Sequence, residues 1–323
     1  MASHLNTDYK VLLHKVEKEK RHTYSFLPLA HNISRPLVGT FSEQKLNLPG
    51  LEVKIDPLRD YRHGSFASHI MGYLGEINQR ELGLLAERGY KLGDLIGKSG
   101  LEKRYDVWLR GVDGGKQIEI DARGRKLRVL RTYNSRPGSG LYLTIDYELQ
   151  KIAEKLLEGK RGSIVVIRPQ TGEVLALTSQ PDFDPNLFAH RIKRSDWERL
   201  TSDPGLPLLN RATQGRYPPA SLFKIITAVA ALEEGIIQKD EKISCTGEFP
   251  LGNRVFHCWR EEGHGEVAIL EAISDSCDLF FYRLGLKCGP ERLLKYAKRF
   301  GLGTPTGIDL NIEEKGLVPL LSR

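Results

Sequence analysis

Apolar and polar positions in the second half of the chain follow two different periods. Apolar residues recur at helical spacing from Tyr147 to Leu157, which predicts an amphipathic helix. Two runs rich in β-branched residues follow, Gly162–Arg168 and Glu173–Thr178, and the turn signal Pro169–Gly172 separates them. These two runs predict an antiparallel hairpin, and the shorter run Tyr142–Ile145 predicts a strand before the helix.

A further segment, Leu222–Leu232, is apolar almost all the way round. In a helix this pattern indicates burial in the core of a sizeable domain, and Gly235 is a typical stop just beyond the helix end. Helices combined with a hairpin favour an α+β protein whose helices pack on an antiparallel sheet.

Turn residues mark one boundary along the chain. Residues 1 to about 135 consist of short segments punctuated by glycine, and the run Arg136–Gly140 (Arg-Pro-Gly-Ser-Gly) is a strong turn signal. A length of 323 residues with 40% hydrophobic content fits two domains. We therefore predict one domain over residues 1–135 and a second over residues 136–323.

The charge of the chain does not predict a nucleic-acid partner. The formal net charge is +7, but lysine and arginine are interleaved with acidic residues, as in the run from His14 to Arg21. Such mixing is typical of a solvated helical face, so we expect no nucleic-acid binding. The first 25 residues lack the apolar centre of a signal peptide, and no run of about 18 apolar residues occurs.

The most informative chemistry lies at the start of the long apolar segment. Ser221 and Lys224 are three residues apart in a helical context, so both side chains lie over the same face. Serine is a weak nucleophile and needs an adjacent base, which a desolvated lysine can supply. The alternative is that Ser221 only caps the helix, which is the common role of a serine at this position.

A second constellation follows downstream. Ser276 and Asp278 place a hydroxyl and a carboxylate two residues apart, just ahead of another apolar helical pattern. A Ser-x-x-Lys motif followed by Ser-x-Asn or Ser-x-Asp is the motif order of penicillin-recognising serine acyltransferases.

The flanking segments resemble class B penicillin-binding proteins, and in particular those of the elongation type. The resemblance extends over nearly the whole chain, and it rests on segments that include Gly162–Val166, Asn210–Ala212, Tyr217–Pro219, Thr306–Leu310, His69–Gly75 and Gly97–Glu102.

The resemblance implies a pedestal domain before an incomplete transpeptidase domain that cross-links peptidoglycan. Ser221 would attack the bond between two terminal D-alanines of a stem peptide, and β-lactams would acylate the same serine. Lys224 would be the base, Ser276 would relay a proton, and Asp278 would orient Lys224 and the substrate amide. Asp278 departs from the commoner asparagine, because a carboxylate accepts hydrogen bonds but cannot donate one as an amide does.

The family also has parts that this sequence does not contain. A membrane-spanning helix precedes the pedestal and a Lys-Thr/Ser-Gly strand follows the second motif, whereas Lys98-Ser99-Gly100 lies too early to be that motif. We therefore expect little turnover from the chain as given. The resemblance implies a location at the periplasmic face of the inner membrane, through an anchor absent from this sequence.

Three cysteines and a histidine lie between and beside the two motifs. Cys245, Cys258, His264 and Cys277 supply the donor atoms of a tetrahedral Cys₃His zinc site. Elongation-type relatives carry zinc on two aspartates, a histidine and a cysteine, and by motif order Cys245 and Cys258 take the aspartate positions. A Cys245–Cys258 disulfide is the alternative, because the family faces an oxidising compartment. Cys288 is expected to be a buried apolar residue.

Zinc on Cys277 would hold Ser276 and Asp278 in place, because Cys277 lies between them. Two other functions stay open. One is a β-lactamase or β-lactam sensor, which would need a water-activating group. The other is a non-catalytic scaffold that binds a SEDS-type glycosyltransferase and other elongation-complex proteins.

Overall fold

The computed structural model describes residues 8–19, 27, 29–30, 33–44, 47–48, 50–55, 58–121, 126–189 and 192–319. The chain divides into two compact units. The first takes residues 1–60 and 107–140, and the second takes residues 61–106 and 141–323. Every candidate site residue lies in the second unit, and the domain boundary at residues 135/136 stays a prediction.

The α-helices in chain order are α1 (Tyr9–Glu19), α2 (Arg35–Glu43), α3 (Ser68–Met71), α4 (Gln79–Leu85), α5 (Gly100–Arg104), α6 (Asp106–Leu109), α7 (Tyr147–Leu157), α8 (Arg194–Ser202), α9 (Arg211–Gln214), α10 (Phe223–Glu233), α11 (Ile269–Ser274) and α12 (Asp278–Arg299). Short 3-10 helices cover Ala86–Arg88, Pro185–Phe188 and Ala220–Leu222.

The strands are β1 (Leu74–Glu76), β2 (Leu95–Gly97), β3 (Gly115–Ile120), β4 (Lys126–Tyr133), β5 (Gly162–Ile167), β6 (Val174–Gln180), β7 (Ile243–Cys245), β8 (Glu248–Leu251), β9 (Arg254–His257) and β10 (Gly265–Val267). They pair antiparallel, as β1 with β2, β3 with β4, β5 with β6, β7 with β10 and β8 with β9. This mixture of helices and antiparallel strands confirms the predicted α+β class.

The first unit contains α1, α2 and the β3–β4 hairpin among its described residues. The hairpin register starts at Gly115 opposite Tyr133, and an isolated bridge between Val112 and Arg136 continues the pairing beyond the strands.

The predicted helix and hairpin of the second unit are confirmed as α7, β5 and β6. Gln150 on α7 is completely buried, and its amide joins helix to strand. Its Oε1 accepts from the Leu177 backbone N–H at 2.8 Å, and its Nε2 donates to the Leu177 carbonyl at 3.0 Å. The side chain therefore fills both backbone positions that a neighbouring strand would otherwise use.

The predicted strand Tyr142–Ile145 is wrong, because the segment is irregular in the structure. Single hydrogen bonds join this part of the chain to β6, without the regular ladder of a strand pair. The Thr144 hydroxyl donates to the Val174 carbonyl at 2.6 Å, and the next residue but one, Asp146, donates its N–H to Leu175. Asp146 then caps α7 by accepting from the Leu149 N–H, so the chain turns into the helix before a ladder forms.

The main core of the second unit lies between α10 and α12. The predicted apolar helix is confirmed as α10, where Ala228, Ala230 and Ala231 are at most 3% exposed and let the helices approach closely. The opposite face is not buried as predicted, since Leu222 and Ile225 remain 72% and 47% exposed. The apolar pattern therefore overstates burial, because α12 covers only one side of α10.

Helix α12 is broken in the middle. Gly289 has φ +75° and ψ 159°, and Pro290 follows it, so two helical halves meet at this residue. Cys288, just before the break, is completely buried in the main core as predicted. Among the described residues, no helix is both long enough and apolar enough to cross a bilayer.

His69 on α3 is a buried titratable group with a clear consequence for stability. Burial lowers the pKa of His69 to about 4, against an ordinary 6.5, while its contact with the Pro181 carbonyl opposes the shift. Between these two values the unfolded chain binds a proton that the folded protein does not bind. The neutral ring thus contributes stability above about pH 6.5, and this contribution is lost as the pH falls toward 4.

We predict that the pH dependence of unfolding changes in His69→Gln. Between pH 7 and pH 4.5 the wild type should lose about 2–3 kcal/mol more of its free energy of unfolding than the variant, because only the wild type carries the titrating ring. Urea titrations at both pH values measure this difference. The exposed His63 supplies the control, and His63→Gln should follow the wild type. Identical pH slopes for wild type and His69→Gln would refute the prediction.

Candidate active site

Ser221 lies in the 3-10 helix Ala220–Leu222, directly before α10, and Lys224 lies in the first turn of α10. Ser221 is exposed, whereas the Lys224 side chain is only 13% exposed. Ala220 has φ +48°, a left-handed conformation that costs energy for a residue with a Cβ. The chain therefore reaches Ser221, the predicted nucleophile, through a strained turn.

Ser276 lies in the turn between α11 and α12 and has φ +51°. Two backbone hydrogen bonds fix this turn, from the Ser276 N–H to Ile273 and from the Cys277 N–H to Ala272, at 3.1 and 2.9 Å. Both predicted motifs thus lie at the start of a helix and beside a left-handed residue. Ser221 follows the left-handed Ala220, and in the second motif Ser276 is itself left-handed. The side chains at these two turns face a cleft rather than the core.

The four predicted catalytic residues are brought together at this cleft. Lys224 Nζ donates to the Ser276 carbonyl at 2.7 Å, to Ser276 Oγ at 3.0 Å and to Asp278 Oδ1 at 2.6 Å. Ser276 Oγ in turn lies 3.1 Å from Ser221 Oγ. A continuous hydrogen-bonded path therefore joins Ser221 to Lys224 through Ser276.

Asp278 has both carboxylate oxygens occupied by protein donors. Oδ1 accepts from Lys224, and Oδ2 accepts from the Trp259 backbone N–H at 3.2 Å. An asparagine here could satisfy only one of these two donors, because its NH₂ group cannot accept. These two donors thus explain why a carboxylate, rather than the amide of an asparagine, suits position 278.

Trp259 is the site residue that sequence reasoning missed. Besides its backbone contact with Asp278, its indole Nε1 donates to the Asp275 carbonyl at 2.9 Å, and its ring meets the His264 ring edge-on at 5.3 Å. In the sequence, the position of Trp259 next to Cys258 is the signal that could have pointed to it. Its contact with Asp278 is made by the backbone N–H, and such a contact cannot be predicted from the residue type.

A cavity of about 660 Å³ opens beside Ser221 and Lys224, between α10, α12 and the β8–β9 hairpin. Its walls are mostly apolar. The lining residues are Ala220, Ser221, Phe223, Lys224, Thr227, Phe249, Leu251, Phe256, Asp278, Phe281, Tyr282, Gly285, Leu286, Pro290 and Leu293.

The predicted metal-binding residues form one compact cluster. The donor atoms of Cys245, Cys258, His264 and Cys277 all lie within 4.8 Å of one another. His264 Nδ1 is 3.6 Å from Cys245 Sγ and 3.5 Å from Cys258 Sγ. Sulfur and nitrogen ligands of a tetrahedral zinc ion lie about 3.5 Å apart, so these distances fit the ion. All four cysteines of the chain are free thiols, with no disulfide between them.

Backbone groups favour the thiolate form of Cys258, whereas burial opposes the thiolate form of Cys277. Burial opposes ionisation of Cys258, yet hydrogen bonds from the backbone of Arg260, Asp278 and Leu279 lower its pKa below the ordinary value. Burial raises the pKa of Cys277 to about 12, and the neighbouring thiols add to this effect. The start of α12 therefore points donors at the sulfur atoms, as a helix N-terminus does toward an anion.

Two glycines allow the cluster to close. A Cβ on Gly247 would lie 1.8 Å from the Glu261 carbonyl oxygen, and a Cβ on Gly263 would lie 2.1 Å from the Cys245 carbonyl oxygen. Both residues also have positive φ, +89° and +78°. The backbone segments that carry the ligands can approach this closely only where no side chain intervenes.

A serine hydroxyl linked through a second serine to a lysine amine defines the class of serine acyl-transfer sites that use lysine as the base. Comparison with known proteins identifies the family. A sequence model described as Penicillin-binding Protein dimerisation domain matches residues 1–143, and one described as Penicillin binding protein transpeptidase domain matches residues 162–321. The chain belongs to the penicillin-binding protein family.

Relatives and solved structures agree with this assignment. The chain is 37% identical over 319 residues to peptidoglycan D,D-transpeptidase MrdA of Escherichia coli K12, covering 97% of this chain and 50% of that protein. Penicillin-binding protein 2 of Helicobacter pylori, solved in complex with MreC, superposes with a TM-score of 0.85 at 30% identity, covering 98% of this chain and 59% of that one.

A structure described as "Structural coordination of polymerization and crosslinking by a peptidoglycan synthase complex" superposes with a TM-score of 0.71 at 31% identity, covering 96% of this chain and 56% of that one. The chain spans about half the length of the curated relatives it matches.

We predict that the Lys224–Asp278 pair contributes to stability more than an exposed pair of the same length. A double-mutant cycle with Lys224→Met and Asp278→Asn should give a coupling free energy of about 1–3 kcal/mol, because both side chains are at least three-quarters buried. Arg194 and Glu198 are 2.7 Å apart, close to the 2.6 Å of Lys224 and Asp278, but they are mostly exposed, and their cycle should give about 0.5 kcal/mol or less. Equal coupling in the two cycles would contradict this prediction.

Proposed function

We propose that the chain carries the acylation centre of a peptidoglycan D,D-transpeptidase. The observation that carries this proposal is the path from Ser221 Oγ through Ser276 Oγ to Lys224 Nζ, with steps of 3.1 and 3.0 Å. In the proposed reaction Ser221 Oγ attacks the carbonyl carbon of the penultimate D-alanine of a stem peptide. The terminal D-alanine leaves as the amine, and an acyl-enzyme ester remains on Ser221.

The contacts of Lys224 support both halves of a proton transfer. Two of its three partners, the Ser276 carbonyl and the Asp278 carboxylate, can only accept, while Ser276 Oγ can donate or accept. A neutral amine can therefore give two N–H bonds to the fixed acceptors and turn its lone pair toward Ser276 Oγ. The Ser221 proton then passes to Ser276 as the Ser276 proton passes to Lys224.

The reverse transfer completes the step. The ammonium of Lys224 returns a proton through Ser276 to the departing amine, so no net proton is gained or lost. The amine of a neighbouring stem peptide then attacks the ester, forms the new peptide bond and regenerates Ser221. Ser221 lies at a helix start, where backbone N–H groups lack internal acceptors, and its N–H would stabilise the developing oxyanion.

β-Lactams would acylate Ser221 by the same attack, with the opened ring retained on the enzyme. Hydrolysis of that ester would require a group that activates water. Among the described residues that line the cavity, Asp278 supplies the one carboxylate. Both of its oxygens already accept hydrogen bonds, from Lys224 and from the Trp259 N–H. This arrangement favours a transpeptidase over a β-lactamase or β-lactam sensor.

We infer that the cluster of Cys245, Cys258, His264 and Cys277 holds a structural zinc ion. The donor set and the sulfur–nitrogen distances support this, and His264 Nε2 is buried without a hydrogen-bond partner among the described residues, so Nδ1 is the ring nitrogen that faces the thiols. When bound, the ion would convert the thiols to thiolates and fix their positions. Cys277 would then hold Ser276 and Asp278, its chain neighbours, at Lys224.

The partners proposed for the whole protein are those of cell-wall elongation. The E. coli relative is a peptidoglycan D,D-transpeptidase, one structural neighbour is bound to MreC, and another belongs to a peptidoglycan synthase complex. By this similarity we propose a SEDS-type glycosyltransferase and other elongation-complex proteins as partners. The location proposed with them is the periplasmic face of the inner membrane.

Ser221 is predicted to be the residue that β-lactams acylate. Incubation of the purified chain with benzylpenicillin should add one drug mass, seen by intact-mass spectrometry, and Ser221→Ala should show no adduct. Ser274 is an exposed serine at the end of α11, so Ser274→Ala should keep the adduct. Lys224→Met and Ser276→Ala should slow acylation by roughly 10²- to 10⁴-fold, the usual contribution of general acid–base groups. An adduct that persists in Ser221→Ala would exclude Ser221 as the nucleophile.

We predict that the purified chain contains one zinc ion, measured by mass spectrometry of the element, and that Cys258→Ser loses it. Cys288 is equally buried but outside the cluster, so Cys288→Ser should retain zinc. Removal of zinc by a chelator should lower the acylation rate, because the turn that carries Ser276 is no longer held.

Two results would count against this role. A zinc-free protein with an unchanged acylation rate would show that the ion does not position the second motif. A thiol titration in denaturant that finds two rather than four free cysteines would support the disulfide alternative.

A further inference from the structure

The second unit contains another cavity, which lies outside the candidate active site between α3, α7 and β6. Its volume is about 10 Å³, enough for one body the size of a water molecule. The residues that line this polar cavity are Ser65, Ala67, Ser68, His69, Gln150, Glu154, Leu177, Thr178, Ser179 and Asp182. Most of these side chains are polar, and the acyl-transfer steps use none of them.

Two carboxylates line the polar cavity, and no lysine or arginine lines it with them. Glu154 and Asp182 are half-buried, and among the described residues neither makes an ion pair. Burial raises the pKa of both carboxyls, and the negative charge of Asp182 adds to the rise at Glu154. His69 is neutral at pH 7, because burial lowers its pKa to about 4. Two like charges that have partly left water are stabilised by a positive charge placed between them.

Existing hydrogen bonds hold the two carboxylates in place without using all of their lone pairs. Glu154 Oε1 accepts from the Ala67 N–H and from Gln150 Nε2, each at 2.8 Å, while Oε2 accepts from no described residue. Asp182 Oδ2 accepts from Gln180 Nε2 at 2.9 Å. A carboxylate offers about four lone-pair positions, so both side chains keep positions for a further partner.

Ser68 gives an independent indication that the polar cavity binds something. The residue lines the cavity and is only 2% exposed, yet its Oγ has no hydrogen-bond partner among the described residues. A buried hydroxyl without a partner costs free energy, so such groups are rare in folded proteins. A cation in the cavity would accept a lone pair of this oxygen.

We propose that the polar cavity binds one hard divalent cation, best matched by Ca²⁺, through oxygens of Glu154, Asp182 and Ser68. The two carboxylates balance the charge of such an ion, and calcium takes oxygen ligands from carboxylates, carbonyls and water. Because both carboxylates are only half-buried, water can reach the remaining ligand positions. The cation would join α3, α7 and the segment after β6.

The chemistry of this site separates it from the cluster of Cys245, Cys258, His264 and Cys277. That cluster offers sulfur and nitrogen, which suit zinc, whereas the polar cavity offers oxygen, which suits calcium. The two proposed sites can therefore be loaded and tested independently, and the calcium site does not depend on acyl transfer at Ser221.

The test measures thermal unfolding of the purified chain in calcium-depleted buffer, with CaCl₂ or with choline chloride at equal ionic strength. The midpoint temperature should rise by about 2–4 °C in CaCl₂ at roughly ten times its dissociation constant. Glu154→Gln and Asp182→Asn should abolish this rise, and both should fold because an amide oxygen still accepts the existing hydrogen bonds. Glu158 lies just after α7 and is exposed, so Glu158→Gln should respond like the wild type.

No rise in the wild type, or a rise of equal size in both amide variants, would overturn the inference. Should both variants fail to fold, isothermal titration calorimetry of CaCl₂ into the wild type and Ser68→Ala decides it. The wild type should bind a single ion per chain, with a dissociation constant severalfold lower than that of Ser68→Ala. Absence of binding, equal dissociation constants in the two proteins, or a crystal grown in CaCl₂ that shows only water in the cavity would also overturn it.

Discussion

The amino group of Lys224 is the point on which the site depends. Its three hydrogen bonds reach a carbonyl, a hydroxyl and a carboxylate that belong to the other side of the cleft, so one side chain of α10 fixes the turn before α12. A lysine that leaves water for a site 13% exposed needs such partners, because an unpaired buried charge is costly. The contacts that satisfy the Lys224 amine are therefore also the contacts that place Ser276 beside Ser221.

The surrounding fold supplies what this arrangement requires. Small residues on α10 bring it against α12, and the completely buried Leu279, Phe280 and Leu284 hold the second helix in the core. The left-handed residues Ala220 and Ser276 lie on opposite sides of the cleft. Backbone strain of this kind persists only where neighbouring packing determines the conformation, and next to Ser276 the completely buried Cys277 belongs to the main core.

Local patterns in the sequence were sufficient to predict α7, the β5–β6 hairpin and α10, because each is specified by its own periodicity and turn residues. The four catalytic candidates and the Cys₃His set could be named from residue type and order, although their distances could not. The strand expected at Tyr142–Ile145 failed because four residues carry too little pattern to outweigh the helix cap at Asp146. Trp259 and the cavity walls of β8 and β9 were missed because they act through tertiary contacts that no local motif encodes.

The close backbone approaches at Gly247 and Gly263 separate two kinds of constraint on the cluster of Cys245, Cys258, His264 and Cys277. A side chain that offers a donor atom there can be exchanged for another of similar reach. The glycines permit no such exchange, because a Cβ at Gly247 or Gly263 would lie 1.8 or 2.1 Å from a carbonyl oxygen, far inside the van der Waals contact distance. The donor set of the proposed metal site can therefore change in softness and charge while the backbone spacing around it stays fixed.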